Sequence, residues 1–135
     1  MYRLLLILPL FALVALAVPA PVSAQGAGGG QYSSASDIPL VVIRFNQRKV
    51  FFERPLYNAV SKAVSIKPNV MLDVVSFIPQ ASSEDGQERV NASAASQQAS
   101  VVNALLSMGV PRGQIRTSRD VAPDTQFHEV YVYVQ

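Results

Sequence analysis

Residues 71–78 read MLDVVSFI, apolar almost throughout and bounded by Pro68 before and Pro79 after. A run this short, rich in β-branched residues and closed by prolines, is expected to be a strand rather than a buried helix segment. It does not show the strict alternation of a strand with one wet face. A central position, in a sheet covered by helices, suits it best.

The flanking segments extend this reading in both directions. Upstream, residues 40–45 (LVVIRF) follow Pro39 as a second β-branched run and are expected to form a strand. Pro55 is placed to open a helix, where its missing N–H costs nothing. Leu56, Val60, Ala63 and Val64 then recur on one helical face, and Pro68 ends that helix. Downstream, residues 79–88 (PQASSEDGQE) are polar and are expected to be a loop. A second helix is expected over 90–108, with Val101, Leu105 and Met108 on one stripe. Gly109 follows it in the position where a left-handed residue closes a helix. Residues 115–119 are a third strand candidate. In the last strand Val130, Val132 and Val134 alternate with Tyr131 and Tyr133, a clean period of two. The expected order is β-α-β-α-β-β, an α+β chain with no internal repeat.

The beginning of the chain indicates a compartment. Arg3 supplies a positive n-region, residues 4–18 an apolar h-region, and Val22-Ser23-Ala24 the small residues a signal peptidase reads. Cleavage is expected after Ala24, with export to the periplasm. An uncleaved anchor is the rival, but the run falls short of the ~20 residues a spanning helix needs. No transmembrane segment is expected after signal removal. Residues 25–37 (QGAGGGQYSSASD) bury too little to offset their ordering entropy and are expected to be a flexible tether. That leaves 38–135 as one domain. With no cysteine, the chain has neither a lipobox nor a disulfide framework. Its 11 Lys+Arg against 9 Asp+Glu include Arg3, so the exported chain is nearly neutral. No basic run and no aromatic–basic interleaving points to nucleic acid as a partner.

Over roughly residues 41–135 the chain resembles the C-terminal OmpA-like domain of bacterial envelope proteins. The resemblance rests on the Phe45 strand with its apolar-faced helix, on residues 71–78, and on Gly86 and Asn91 at the family's five-residue spacing. Its most specific piece is Gly109-Val110-Pro111 followed by Ile115. It implies a two-layer α+β sandwich, a mixed sheet with two helices on one face. It also implies a ligand site, because the family binds peptidoglycan through the carboxylate and amine of a diaminopimelate side chain. The family motif has an Asp three residues before the glycine matching Gly86, and an Arg seven residues after the asparagine matching Asn91. Here those positions hold Ser83 and Gln98, which with Asn91 are the family-equivalent ligand positions that the resemblance implies. The second helix is one residue shorter than the family's, and counting back from Gly109 gives Gln97 instead. Either register yields a glutamine, which has two donors and no charge where a guanidinium has a charged fork. Ser83 cannot supply an anion for a ligand ammonium. The inherited site is expected to be lost or heavily weakened, with Glu84, Asp85 and Arg89 as the nearest substitutes.

Other side chains carry weaker signals. His128 is the only histidine, without a second metal ligand or a nearby nucleophile, and is expected to be a solvated loop residue. Glu84, Asp85 and Glu88 lack the ligand alternation of a calcium loop, and acidic residues ahead of a helix follow from its dipole alone. Arg112, Arg116 and Arg119 either form a solvated surface with Asp120 and Asp124 or line one edge of the third strand as a docking patch for an acidic partner. Tyr131 and Tyr133 either pack under a helix or anchor an interface. Residues 92–100 (ASAASQQAS) admit close approach of a partner, or of the helix to its own sheet. No metal or cofactor pattern is present, and no acid–base pair or nucleophile elbow supports an enzyme. The leading expectation is a non-catalytic binding module of the cell envelope, docking to an envelope or secretion-system protein. The alternative is a peptidoglycan anchor of the OmpA-like type.

Overall fold

The computed structural model describes residues 38–135; the expected signal segment and tether lie outside them. The elements are β1 (Val41–Arg44), α1 (Glu53–Ile66), β2 (Leu72–Pro79), α2 (Glu84–Ser107), a 3-10 turn (Arg112–Gln114), β3 (Ile115–Ala122) and β4 (Glu129–Val134). The sheet runs β1-β4-β2-β3, so β2 is internal. β2 pairs with β3 in parallel, and β4 is antiparallel to both β1 and β2. A parallel pair needs a crossover, and α2 provides it.

The ladder registers sort the side chains by face. Leu72, Val74 and Ser76 lie level with Val134, Val132 and Val130, and Val132 and Val130 lie level with Val41 and Ile43. This face meets Leu56 and Val60 of α1 and Val101 and Leu105 of α2 in one core. Both helices therefore cover the same side of a mixed sheet, an α+β arrangement in two layers. Val75 points the other way and is still fully buried. β2 thus buries residues on both faces, which accounts for its continuous apolar run. Each fully buried leucine or valine contributes about 1.5–3 kcal/mol of transfer free energy.

Helix termini follow local chemistry. Pro55 lies in the first turn of α1, ahead of Leu56 N–H, the donor to Phe52 O at 2.9 Å. Pro68 follows the Lys67 cap. Gly109, at φ +89°, closes α2: its N–H reaches Leu106 O at 3.0 Å, and Val110 N–H reaches Leu105 O at 3.2 Å. Those paired bonds form a Schellman motif, and the positive φ explains the glycine.

Three boundaries differ from the sequence expectation. α2 starts at Glu84 rather than near 90, so the second half of the expected loop is helical. Ser83 caps it, with Oγ accepting from Gly86 N–H at 3.2 Å, and Glu84 and Asp85 complement the dipole in the first turn. β3 runs on to Ala122, paired with β2 along its length. Met108 is the half-buried cap of α2, and its buried stripe is Ala94, Gln98, Val101 and Leu105.

Candidate functional site

Gln98 is the one polar member of the buried stripe of α2, only 3% exposed. Its Nε2 donates to Val74 O at 3.0 Å and to Ser118 O at 2.9 Å, tying the helix to both parallel strands. Its Oε1 accepts from Arg119 Nε at 2.7 Å. The amide orientation is fixed chemically, since a flipped amide would aim donors at a guanidinium and an oxygen at two carbonyls. Burying the amide is tolerable because both its ends are satisfied.

The other positions singled out by the sequence resemblance are engaged as well. Ser83 caps α2. A Cβ on Gly86 would stand 2.9 Å from Ser83 Oγ, so the glycine leaves room for the cap. Asn91 Oδ1 accepts from Gln87 Nε2 at 3.0 Å. Gln87 also closes the β2–α2 turn: its Oε1 accepts from Ala81 N–H at 2.7 Å and its Nε2 donates to Pro79 O at 3.3 Å. Sequence reasoning passed over Gln87, although it follows the cap by one turn. In the alternative register, Gln97 Oε1 lies 2.6 Å from His128 Nδ1. Of the substitutes, Glu84 and Asp85 are exposed in the first turn of α2, and Arg89 Nε donates to Asp85 O at 3.3 Å.

His128 is buried, at 6% exposure, contrary to its expected place in a solvated loop. Phe45 draws it inward, with the rings stacked at 5.3 Å and 16°, and Phe45 N–H binds His128 O at 2.9 Å. Burial and the nearby Arg119 charge push its pKa down to about 4, against a smaller upward pull from Glu129. The imidazole is therefore neutral at pH 7, with Nδ1–H donating to Gln97. Its Nε2 and Ser76 Oγ are buried without a hydrogen-bond partner among the described residues.

The arginines do not form one patch. Strand alternation puts Arg116 and Arg119, three residues apart, on opposite faces of β3. Arg119 is level with Ser76 on the helix side, whereas Arg116 is level with Asp73 and pairs with it at 3.3 Å. Arg112 lies in the turn before β3. A groove of about 170 Å³ between α2 and β3 is bordered by Ala95, Ala99, Arg112 and Arg119. A wider one of about 440 Å³ runs from Arg119 past Asn91 and Ile78. Another, of about 570 Å³, lies between the C-terminal ends of the helices and includes none of the candidate residues.

Tyr131 and Tyr133 lie on the sheet face away from both helices. Tyr131 is level with Val42 and Val75 and packs edge-on against Phe77 at 4.9 Å. Its hydroxyl donates to Glu129 at 3.0 Å, and Glu129 also pairs with Arg44 at 2.8 Å. Burial raises both tyrosine pKa values, with Glu129 adding to the shift at Tyr131. The charges on this face are largely paired internally. The small residues of α2 divide: Ala94 is fully buried against the core, while Ala95 and Ala99 border the narrow groove.

Among the described residues no cluster of His, Asp and Glu is placed to hold a metal ion, and no helix is long and apolar enough to cross a membrane. No family model matches the chain, and no curated protein matches it.

Proposed function

We propose that this chain is a periplasmic, non-catalytic binding module of the bacterial envelope, a divergent relative of OmpA-like domains, whose partner is another envelope protein. The observation that carries this reading is the use made of Ser83, Asn91 and Gln98. Each of the three residues matched to the family's ligand positions is bonded within the fold, and none carries a charge. A zwitterionic ligand would meet a cap serine and a clamped glutamine where the family offers an anion and a cation. Charge-assisted bonds are roughly twice as strong as neutral ones, so peptidoglycan is a weak ligand for this chain. The aromatic sheet face supports a protein partner instead. Phe77, Tyr131 and Tyr133 offer apolar area, the two tyrosines with polar tips, and the paired charges around them suit an apolar counterpart at this face. Export and cleavage after Ala24 belong to the same proposal and rest on the sequence.

Site-specific photo-crosslinking in cells tests it. A crosslinker at Tyr133 should yield a discrete protein adduct in the envelope fraction, and one at Lys62 on the exposed side of α1 should not. Equal adducts from both positions, or none from Tyr133, would contradict the proposal.

A further inference from the structure

Gln98 does more than replace a charge, because it also positions one. Arg119 Nε is bound by Gln98 Oε1 at 2.7 Å, and that oxygen belongs to an amide held by two strand carbonyls. The guanidinium is thereby fixed at one corner. Its two terminal nitrogens, the fork that grips a carboxylate end-on, meet no carboxylate within ion-pair distance among the described residues, where only Arg44–Glu129 and Arg116–Asp73 are paired. Arg112 borders the same groove and is likewise outside both pairs. Ala95 and Ala99 keep the groove open where longer side chains would fill it. At about 170 Å³ it has room for one acidic side chain rather than for a cofactor. Asp120, the neighbouring carboxylate, borders the wider groove and points by alternation to the opposite face of β3.

We infer that the groove between α2 and β3 receives an Asp or Glu side chain of a protein partner, held end-on by Arg119 with Arg112 as a second cation. Gln98 acts as a positioning residue, orienting the fork through its bond to Arg119 Nε. This inference rests on the reading of the chain as a protein-docking module and names the charge its partner brings. The cation comes from the strand rather than from the helix, so the geometry of the approach differs from that of a helix-borne arginine.

The test is a titration of the 15N-labelled full chain with a capped pentapeptide, Gly-Gly-Glu-Gly-Gly, followed at the Arg119 Nε–H and Gln98 side-chain amide signals. The glutamate peptide should shift both signals saturably, and the matching glutamine peptide should shift neither. Affinity should fall as salt is raised. Arg119→Gln should weaken binding at least tenfold and Arg112→Gln several-fold, and both residues are exposed enough for the variants to keep dispersed spectra. Equal responses to the glutamate and glutamine peptides, or no response at Arg119, would overturn the inference. A response to free diaminopimelate but not to the glutamate peptide would overturn it in favour of a cell-wall ligand. A Tyr133 crosslink that survives Arg119→Gln, together with a silent titration, would remove this inference and leave the docking role standing.

Discussion

Arg119 and Gln98 form a single unit across the α2–β3 boundary: the strand's guanidinium is oriented by a helix amide that is itself anchored on Val74 and Ser118. A glutamine in the middle of a buried helical stripe is unusual, and its three bonds explain its presence there. They also mean that an arginine at position 98 would face Arg119 in a site with little water.

Gln98→Ala should destabilise the domain by about 2–4 kcal/mol, because a buried and a half-buried carbonyl lose their donor and a cavity opens. Gln98→Arg should be at least as damaging, through a buried cation set against Arg119. Urea denaturation of Gln98→Arg, of Arg119→Gln and of the double variant should show coupling, with the second substitution rescuing part of the first. Strict additivity would contradict the pairing.

Ser83→Ala should cost about 1 kcal/mol, the ordinary value of a lost N-cap. Ser83→Asp should be neutral or slightly stabilising, since aspartate caps well and adds a negative charge at the positive end of α2. The thermal unfolding midpoint should therefore drop for Ser83→Ala and hold or rise for Ser83→Asp. Equal losses would show that the serine does not cap.

His128 makes stability depend on pH in a defined window. Its folded pKa, about 4, lies below the model-peptide 6.5, so the unfolded chain binds more protons between those values. The contribution is complete above pH 6.5 and is lost as pH falls toward 4. It amounts to no more than about 3 kcal/mol and is reduced wherever solvent screens Arg119. As the chain has one histidine, His128→Gln should flatten the loss between pH 6.5 and 5. An unchanged slope in urea denaturation would place the imidazole in solvent.

Gly109→Ala should cost about 1 kcal/mol, because the position holds φ +89° and only glycine does so without strain. A Cβ there would meet no neighbour within 4 Å, so the loss measures backbone conformation rather than crowding. A neutral thermal shift would mean that the helix end relaxes into another turn.

What could be read in the sequence follows the strength of local periodicity. β2, β4, the apolar face of α1 and the Gly109 stop all have short-range signatures, and the structure has each of them where expected. The start of α2 lacked such a signature because its first two turns carry no apolar stripe. The signal was present in another form, a serine followed by two acidic residues. The burial of Gln98 and His128 had no local signature, and for His128 it overturned the expected solvated position: what buries them comes from distant elements, β2 and β3 for one and Phe45 for the other. Hydropathy gives no hint of a polar residue whose partners are fixed only by tertiary packing. The separation of Arg116 from Arg119 was already contained in the alternation of the expected strand over residues 115–119, which spans both residues.

The most direct test of the account is co-sedimentation of the protein with purified sacculi, with and without free diaminopimelate as competitor. With Ser83, Asn91 and Gln98 all held within the fold, retention should be weak and insensitive to the competitor. Strong retention that diaminopimelate displaces, and that Asn91→Ala abolishes, would contradict the account and make the chain a peptidoglycan anchor.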